Sequence, residues 1–374
     1  MPNTANQAPT PAPLYALRSR LARQLAWRSV AGLLTLCVAL LGIGVASALA
    51  FVKVWAGIQA GEPLPTAFFS LLGVALALAA GLLADVLFSA PPQPRGVRLP
   101  RAAAADFYQL LDHLAACLHI RPIRHVLITG DMNAQIVQRP AWGLCGPLRT
   151  RLLLGLPLIH SLSAPQLAAV LAHELAHVAA QRQGWSGRGA HMRAWWARTL
   201  DRAASRSPYV EAWVDQHFGS FCERMLKLAR AEELEADALA ACLVGKELMG
   251  EALIEVSLKA RFLENDYWPR MQSRAAIRPY REMGFGFEAG FVRAEPTQDA
   301  WLYEGEDAGS ARRRHSFHPS LRTRLRALRT PLRQPSQVYP PASQRYFAPL
   351  LPALASAFDR EWAEEARPRG ARQA

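Results

Sequence analysis

Residues 170–179 read Val-Leu-Ala-His-Glu-Leu-Ala-His-Val-Ala, and the motif they contain says more about function than the rest of the chain. Its two histidines, His173 and His177, are four residues apart, so on a helix their side chains share one face. Two imidazoles placed in this way can bind one tetrahedral zinc ion, and Glu174 can then accept a proton from an attacking water. The alternative is a surface helix that carries the pattern by coincidence.

The residues on either side favour a buried helix over a surface one. Ser163 is a good N-cap, Pro165 suits the first turn, and Gln166 stands at the third position of a capping box. Apolar residues then surround the histidine pair: Leu167, Val170, Leu171, Leu175 and Val178. Because buried polar groups need partners, a buried histidine pair indicates a metal.

A catalytic zinc site needs a third protein ligand, and acidic residues follow in a second predicted helix over 212–243. Glu233 and Asp237 are four residues apart and share a face, whereas Glu232 and Glu235 point elsewhere. A glutamate on a helix that crosses the first would supply the third ligand. The alternative, an acidic solvated face, suits Glu232 and Glu235.

The histidine motif and the acidic motif together resemble the motifs of a known family. His-Glu-Leu-Ala-His at 173–177 and Glu-Leu-Glu-Ala-Asp at 233–237 are similar to the pair H-E-x-x-H and E-x-x-A-D. This pair marks the HtpX-like and CAAX prenyl endopeptidase family of membrane zinc metalloproteases. The segment 131–134 resembles the family's Asn-Ala strand beside the active-site cleft, and 318–325 resembles its C-terminal H-P-x-x-x-x-R-[IL] segment.

The resemblance implies one zinc ion per chain and a role for each motif residue. The residues that would bind the ion are His173, His177 and Glu233. Glu174 would be the general base, and Asp237 would be a carboxylate that orients a histidine ligand. His318 or Arg324 would lie near the substrate carbonyl as a charge stabiliser. For His318 the alternative is an ordinary histidine at a helix N-terminus.

The chain departs from the best-known members of that family between the two motifs. Those members place further transmembrane helices there. In this chain, residues 183–230 carry arginines at short intervals, so no stretch in that region can span a bilayer. We therefore expect an open cleft rather than an enclosed chamber, and specificity for prenylated substrates is not carried over. Residues 185–200 form either an interfacial amphipathic helix or a tryptophan-rich packing helix of the soluble domain.

Two uncharged runs near the N-terminus, 31–52 and 63–84, are each long enough to cross a bilayer. A buried core helix is the alternative for either run alone, and a cleaved signal peptide fits poorly because a second run follows. Basic residues lie before the first run and after the second: Arg18, Arg20, Arg23, Arg28, Arg95, Arg98 and Arg101. The positive-inside rule thus predicts a two-span protein of the inner membrane with its catalytic domain in the cytoplasm. Asp85 would be solvated at the interface.

The net charge of +13 fits a domain held against anionic headgroups, and we expect no specific binding of nucleic acid because the arginines are scattered. The five cysteines are odd in number and show no C-x-x-C pairing, as is typical of reduced thiols. They support neither a disulfide framework nor a cysteine zinc site.

The predicted fold class is α+β and mainly helical, with a transmembrane helical hairpin followed by a zincin-type metalloprotease domain that holds a small β-sheet. The predicted order is a disordered basic tail (1–29), the hairpin (30–89), a linker (90–102), the metalloprotease domain (103–330) and a C-terminal tail (331–374). Within these segments we predict helices over 103–119 and 347–366 and strands over 125–129, 136–137 and 151–154.

The sequence therefore predicts a membrane-anchored zinc metalloendopeptidase. Its partners would be the lipid bilayer and polypeptide substrates that are membrane-bound or close to the membrane, and the resemblance implies a role in quality control. The alternative is a catalytically silent zinc-binding membrane adaptor. Glu174 speaks against the adaptor, since zinc binding alone would not require it.

Overall fold

The structure is a computed structural model that describes residues 12–88, 93–142, 145–182, 186–272, 278–283, 318–331 and 340–366. The chain divides into two compact units. The helical unit comprises residues 15–92 and 181–228, and the mixed unit comprises mainly residues 93–180 and 229–374.

The helical unit begins with two long helices, α1 (Ala12–Ala60) and α2 (Pro63–Phe88). Among the described residues, these are the two helices that are long and apolar enough to cross a membrane. Their turn uses Gly61 at a φ of 72°, a conformation that glycine adopts without strain. Ser47 Oγ donates to the carbonyl oxygen of Gly73 at 2.9 Å and links the two helices.

Helix α1 is longer than the sequence predicted. The prediction of a disordered tail through residue 29 is wrong for residues 12–29, which belong to the helix; residues 1–11 lie outside the described residues. The physical reason is a buried stripe on this part of α1. Ala22 and Leu25 are buried in an apolar cluster of the helical unit, and their burial outweighs the charge of Arg23 between them.

Two further helices, α6 (Ser186–Ala204) and α7 (Pro208–Val244), follow later in the chain. Helix α7 matches the helix predicted over 212–243. Trp196 of α6 is buried and packs in the same cluster as Leu33 and Leu87, and a Cβ at Gly32 would lie 2.7 Å from its ring. Helix α6 is therefore a packing helix of the helical unit.

The mixed unit contains a four-stranded sheet in the order β1-β2-β4-β3. The strands are β1 (Val97–Leu99), β2 (His125–Thr129), β3 (Ala134–Trp142) and β4 (Cys145–Gly155). Strands β2 and β4 are parallel, whereas β1 pairs with β2 and β3 pairs with β4 in antiparallel fashion. Strand β3 thus forms one edge of the sheet.

Helices surround this sheet and share one core with it. They are α3 (Ala105–Cys117), α4 (Leu156–Ser161), α5 (Ala164–Arg182), α8 (Lys246–Phe262), α9 (Trp268–Gln272), α10 (Leu321–Leu328), α11 (Ala342–Phe347) and α12 (Leu351–Ala366). Buried members of the core include Phe107, Leu152, Leu171 and Phe262. The predicted class, mainly helical α+β with two long apolar helices at the N-terminus, is confirmed.

Two predicted boundaries of the mixed unit are wrong. The predicted linker 90–102 contains β1, which gains its stability by pairing with β2 rather than from any pattern of its own. The predicted C-terminal tail contains α11 and α12, and Phe347 and Phe358 lie in the core. The Pro-rich composition concealed this contribution to folding, although the predicted helix over 347–366 corresponds to α12.

Candidate active site

Helix α5 carries the two histidines, and its start has the predicted capping box. The backbone N–H of Ser163 donates to Gln166 Oε1 at 3.0 Å, and the N–H of Gln166 donates to Ser163 Oγ at 3.4 Å. One turn apart on this helix, His173 and His177 bring their Nε2 atoms to 3.2 Å from each other. Two ring nitrogens at this distance can share one metal ion.

Glu233 on α7 completes a three-ligand group with this pair. Its Oε1 lies 3.3 Å from His177 Nε2, and its Oε2 lies 3.6 Å from His173 Nε2. A tetrahedral ion with bonds of about 2.0–2.1 Å needs ligand atoms about 3.3–3.4 Å apart, and the observed spacings fall around that value. The three residues therefore fit a divalent metal ion with two nitrogen ligands and one oxygen ligand.

Glu233 is prepared to act as an anionic ligand. Burial alone would raise the pKa of its carboxyl group, but contacts with His177 and His318 outweigh burial and hold that pKa below its ordinary value. His318 supplies its Nδ1 at 2.9 Å from Glu233 Oε2, while most of the His318 side chain (68%) is exposed. The structure thus places His318 at the open side of the ligand group, in contact with a ligand.

Behind His173 lies a fully buried carboxylate, Asp237. Its Oδ1 lies 2.9 Å from His173 Nδ1. An imidazole that donates from Nδ1 presents Nε2 as an acceptor, which is the form that a metal requires. Hydrogen bonds from Arg324 and His173 hold the pKa of Asp237 below its ordinary value against the opposing effect of burial.

Arg324 of α10 binds Asp237 through both ends of its guanidinium fork. Its Nε donates to Oδ2 at 2.7 Å, and its Nη2 donates to Oδ1 at 2.6 Å. The sequence resemblance placed Arg324 or His318 beside the substrate carbonyl. In this structure Arg324 is mostly buried on Asp237, and its Nη2 is 3.6 Å from Glu233 Oε2.

Glu174 points toward the edge of the sheet. Its Oε2 accepts a hydrogen bond from the backbone N–H of Ile136 in β3 at 3.2 Å. Burial raises the pKa of this carboxyl group above its ordinary value. A glutamate with a raised pKa, next in sequence to a metal ligand, is suited to accept and return a proton.

The turn before β3 is held against the end of β4. Gly155 N–H donates to the carbonyl oxygen of Asn133 at 2.7 Å, and a Cβ at Gly155 would overlap the carbonyl oxygen of Asp131. The predicted Asp131–Ala134 segment therefore leads into the edge strand that contacts Glu174. Sequence reasoning missed the contact from Ile136 because backbone N–H groups leave no signal in the sequence.

The prediction of a solvated Glu235 is wrong. Its exposed fraction is 8%, and it is buried like Glu233 and Asp237. Helix α7 is buried on more than the one face that the spacing of Glu233 and Asp237 identifies. The spacing identified the two acidic residues that contact the histidine pair, but not the full extent of the buried surface.

The sequence matches the model of peptidase family M48 over residues 145–332, just over half of the chain. The chain belongs to peptidase family M48. The M48 match includes α5, α7, α10 and His318, and therefore every predicted site residue. A comparison with curated proteins and one with solved structures gave no match.

Membership of M48 establishes the reaction class of this chain. M48 is a family of metal-dependent endopeptidases, so the predicted protease activity and the polypeptide substrate are confirmed at this level. The two long apolar helices indicate a membrane protein, as expected of a membrane metallopeptidase of this family. The family assignment also favours the enzyme over the silent adaptor.

Proposed function

We propose that the chain is a zinc-dependent endopeptidase that cleaves membrane or membrane-proximal polypeptides at the cytoplasmic face of the inner membrane. The observation that carries the proposal is the three-ligand group of His173, His177 and Glu233, with Glu174 beside it on α5. Two nitrogens and one carboxylate oxygen form a ligand set typical of catalytic zinc, which leaves a fourth position for water or substrate.

Each residue has a task that its contacts support. Zinc, when bound, would polarise the scissile carbonyl and lower the pKa of the attacking water. Glu174 takes the proton of that water and passes it to the leaving amine, which its raised pKa favours. Asp237 and Arg324 hold His173 in the metal-binding tautomer, and His318 holds Glu233.

Strand β3 offers a place for the substrate backbone. In the described part of the chain, β3 pairs with β4 on one side, and its Ile136 N–H reaches Glu174 on the other. An extended peptide can add to such an edge as a further strand, and its backbone hydrogen bonds would place a carbonyl beside Glu174. This mode of binding favours unfolded or extended segments over folded domains.

The hairpin and its flanking charges support the proposed membrane placement. Arginines flank the outer ends of both apolar helices, which supports cytoplasmic termini and a cytoplasmic site. A protease tethered to the bilayer meets other membrane proteins at a raised local concentration. Together with a preference for extended segments, this supports a role in the quality control of membrane proteins.

The test is cleavage of casein by the purified full-length chain in detergent, with its zinc content measured in parallel. Glu174→Gln should retain zinc and lose at least about 100-fold in activity, because it removes the proton acceptor. Glu223→Gln, the same change at an exposed position of α7, should behave like wild type. Equal cleavage by Glu174→Gln and wild type would exclude the proposed role of Glu174. A zinc-loaded wild type that cleaves nothing would point to the adaptor.

A further inference from the structure

Two large aromatic side chains at the start of α7 are exposed on the helical unit. The exposed fractions are 88% for Tyr209 and 52% for Trp213. All other large hydrophobic side chains that are exposed in the described residues lie on α1 and α2, the two apolar helices. The two aromatics are four residues apart and therefore share one face of α7. The Trp213 ring stacks on His217, with ring centres 4.8 Å apart.

Helix α6 precedes these two aromatic residues in the chain and runs parallel to α1. A Cβ at Gly189 would lie 3.0 Å from Ala26, and a Cβ at Gly32 would lie 2.7 Å from Trp196. Successive contacts along α6 thus meet successive residues along α1, and the two helices run in the same direction. Because the uncharged run of α1 begins at residue 31, α6 descends toward the bilayer that α1 enters.

The C-terminal end of α6 contacts the end of α2, beside the two uncharged runs. Trp195 Nε1 donates to the carbonyl oxygen of Leu87 at 2.7 Å, and Arg202 Nη2 lies 3.1 Å from Asp85 Oδ1. Arg206, just beyond α6, also pairs with Asp85. Leu36, Leu40 and Leu83, which lie inside the uncharged runs, pack against the cluster that contains Trp196 and Leu200. The turn between α6 and α7 is therefore at membrane depth.

The charges near this turn limit how deep it can lie. Residues 201–215, named here the α6–α7 tip, include three acidic side chains (Asp201, Glu211 and Asp215), all on exposed residues. Charged groups are costly in hydrocarbon but are solvated among the headgroups. Tyrosine and tryptophan are favoured at that same level, because their rings are apolar and their N–H or O–H groups are polar.

We propose that the α6–α7 tip lies in the headgroup region of the bilayer that α1 and α2 cross, anchored by Tyr209 and Trp213. The tip carries three acids and two arginines, and both arginines contact Asp85. Anchoring therefore depends on the aromatic rings and not on anionic lipid. The inference rests on the hairpin crossing the bilayer and is independent of peptidase activity.

The test measures the depth of spin labels in the full-length chain, with its five native cysteines replaced by serine. Labels are attached at Tyr209→Cys and, separately, Trp213→Cys, in phosphatidylcholine nanodiscs. Leu71→Cys, on the exposed face of α2, is the lipid reference, and Gln109→Cys, exposed on α3, is the water reference. The measured quantity is the ratio of collision rates with oxygen and with a water-soluble nickel complex.

The ratio for both tip labels should be several-fold above that of Gln109→Cys and below that of Leu71→Cys. Adding phosphatidylglycerol should leave it unchanged. A ratio equal to that of Gln109→Cys, or tip contact only with anionic lipid, would overturn the proposal. Spin–spin broadening between tip labels would instead assign this surface to a second copy of the chain. A low ratio at Leu71→Cys would show that the hairpin itself does not span, which contradicts the premise.

Discussion

At the scale of single residues, Asp237 and Arg324 form a buried pair behind the candidate ligand His173. Asp237 has no exposed surface, and Arg324 binds both of its oxygens. A buried carboxylate without its cation would lower the stability of the fold, so loss of either residue should destabilise the other. Its proposed role is to hold His173 in one tautomer and one orientation.

Replacing Arg324 with lysine should therefore weaken the site although the charge is kept. Lysine cannot form the two-pronged contact, and loss of such outer partners typically lowers metal affinity about 10–100-fold. Zinc affinity, measured by competition with a chelator, checks this. Arg326→Lys, on an exposed position of the same helix, is the matched control. An unchanged affinity in Arg324→Lys would contradict the positioning role.

His160, away from the metal ligands, sets an acid limit on stability. It is buried in α4, and burial lowers its pKa from 6.5 to about 4. The unfolded chain binds this proton below pH 6.5, whereas the folded chain resists it until about pH 4. Stability is therefore lost as the pH falls through this window, by about 2 kcal/mol between pH 7 and pH 5.

His160→Gln should remove this part of the pH dependence. Its melting temperature, measured on the full chain in detergent, should fall less between pH 7 and pH 5 than that of the wild type. His125→Gln, at an exposed position in β2, should keep the wild-type slope. If His160→Gln and wild type lose stability in parallel, another group is responsible.

At the scale of elements, a helix or strand was predicted correctly where the pattern that identifies it lies within its own residues. Strand β2 and helix α5 were predicted closely, because an apolar run and a capping box are contained in their own residues. Strand β3 extends well beyond the predicted 136–137, because its polar half is held by pairing with β4. Strand β1 has no local signal at all and depends on β2.

The junction between β4 and α4 gives a sharp test at this scale. Gly155→Ala should destabilise the chain by about 1–3 kcal/mol, since its Cβ would overlap the carbonyl oxygen of Asp131. Because this turn leads into β3, activity should fall as well. Gly219→Ala is the control: its Cβ meets open space on α7, and alanine favours a helix. Thermal melting and casein cleavage check both variants, and equal behaviour would refute the close approach.

At the scale of the whole molecule, the core of the mixed unit extends beyond the predicted metalloprotease domain. The predicted metalloprotease domain stopped at residue 330, yet α11 and α12 supply Phe347 and Phe358 to the core. Composition alone could not show this, because a Pro-rich stretch precedes these helices and burial is decided by distant residues. The candidate ligand group of His173, His177 and Glu233 could be named from the sequence, because the spacing within each helix and the chemistry of the side chains are local features.

Phe347→Ala should destabilise the full chain by about 3–5 kcal/mol, the usual loss for a buried phenylalanine. Arg360→Ala, an exposed change in α12, should stay within about 0.5 kcal/mol of wild type. Denaturant unfolding in detergent measures both. A small change in the free energy of unfolding for Phe347→Ala would show that this region does not contribute to the core.

The contact between residues 341–342 and the start of α5 also determines when, during synthesis, that helix gains its support. Ala342 N–H donates to the carbonyl oxygen of Leu162 at 2.6 Å, and Pro341 bridges to Ser163, the N-cap of the histidine-bearing helix. A ribosome makes these partners some 180 residues after it makes Ser163. The histidine-bearing helix therefore gains this support only after residue 342 has been made. A nascent chain that stops before residue 341 lacks that support, which delays a competent protease until the segment around α11 has been made.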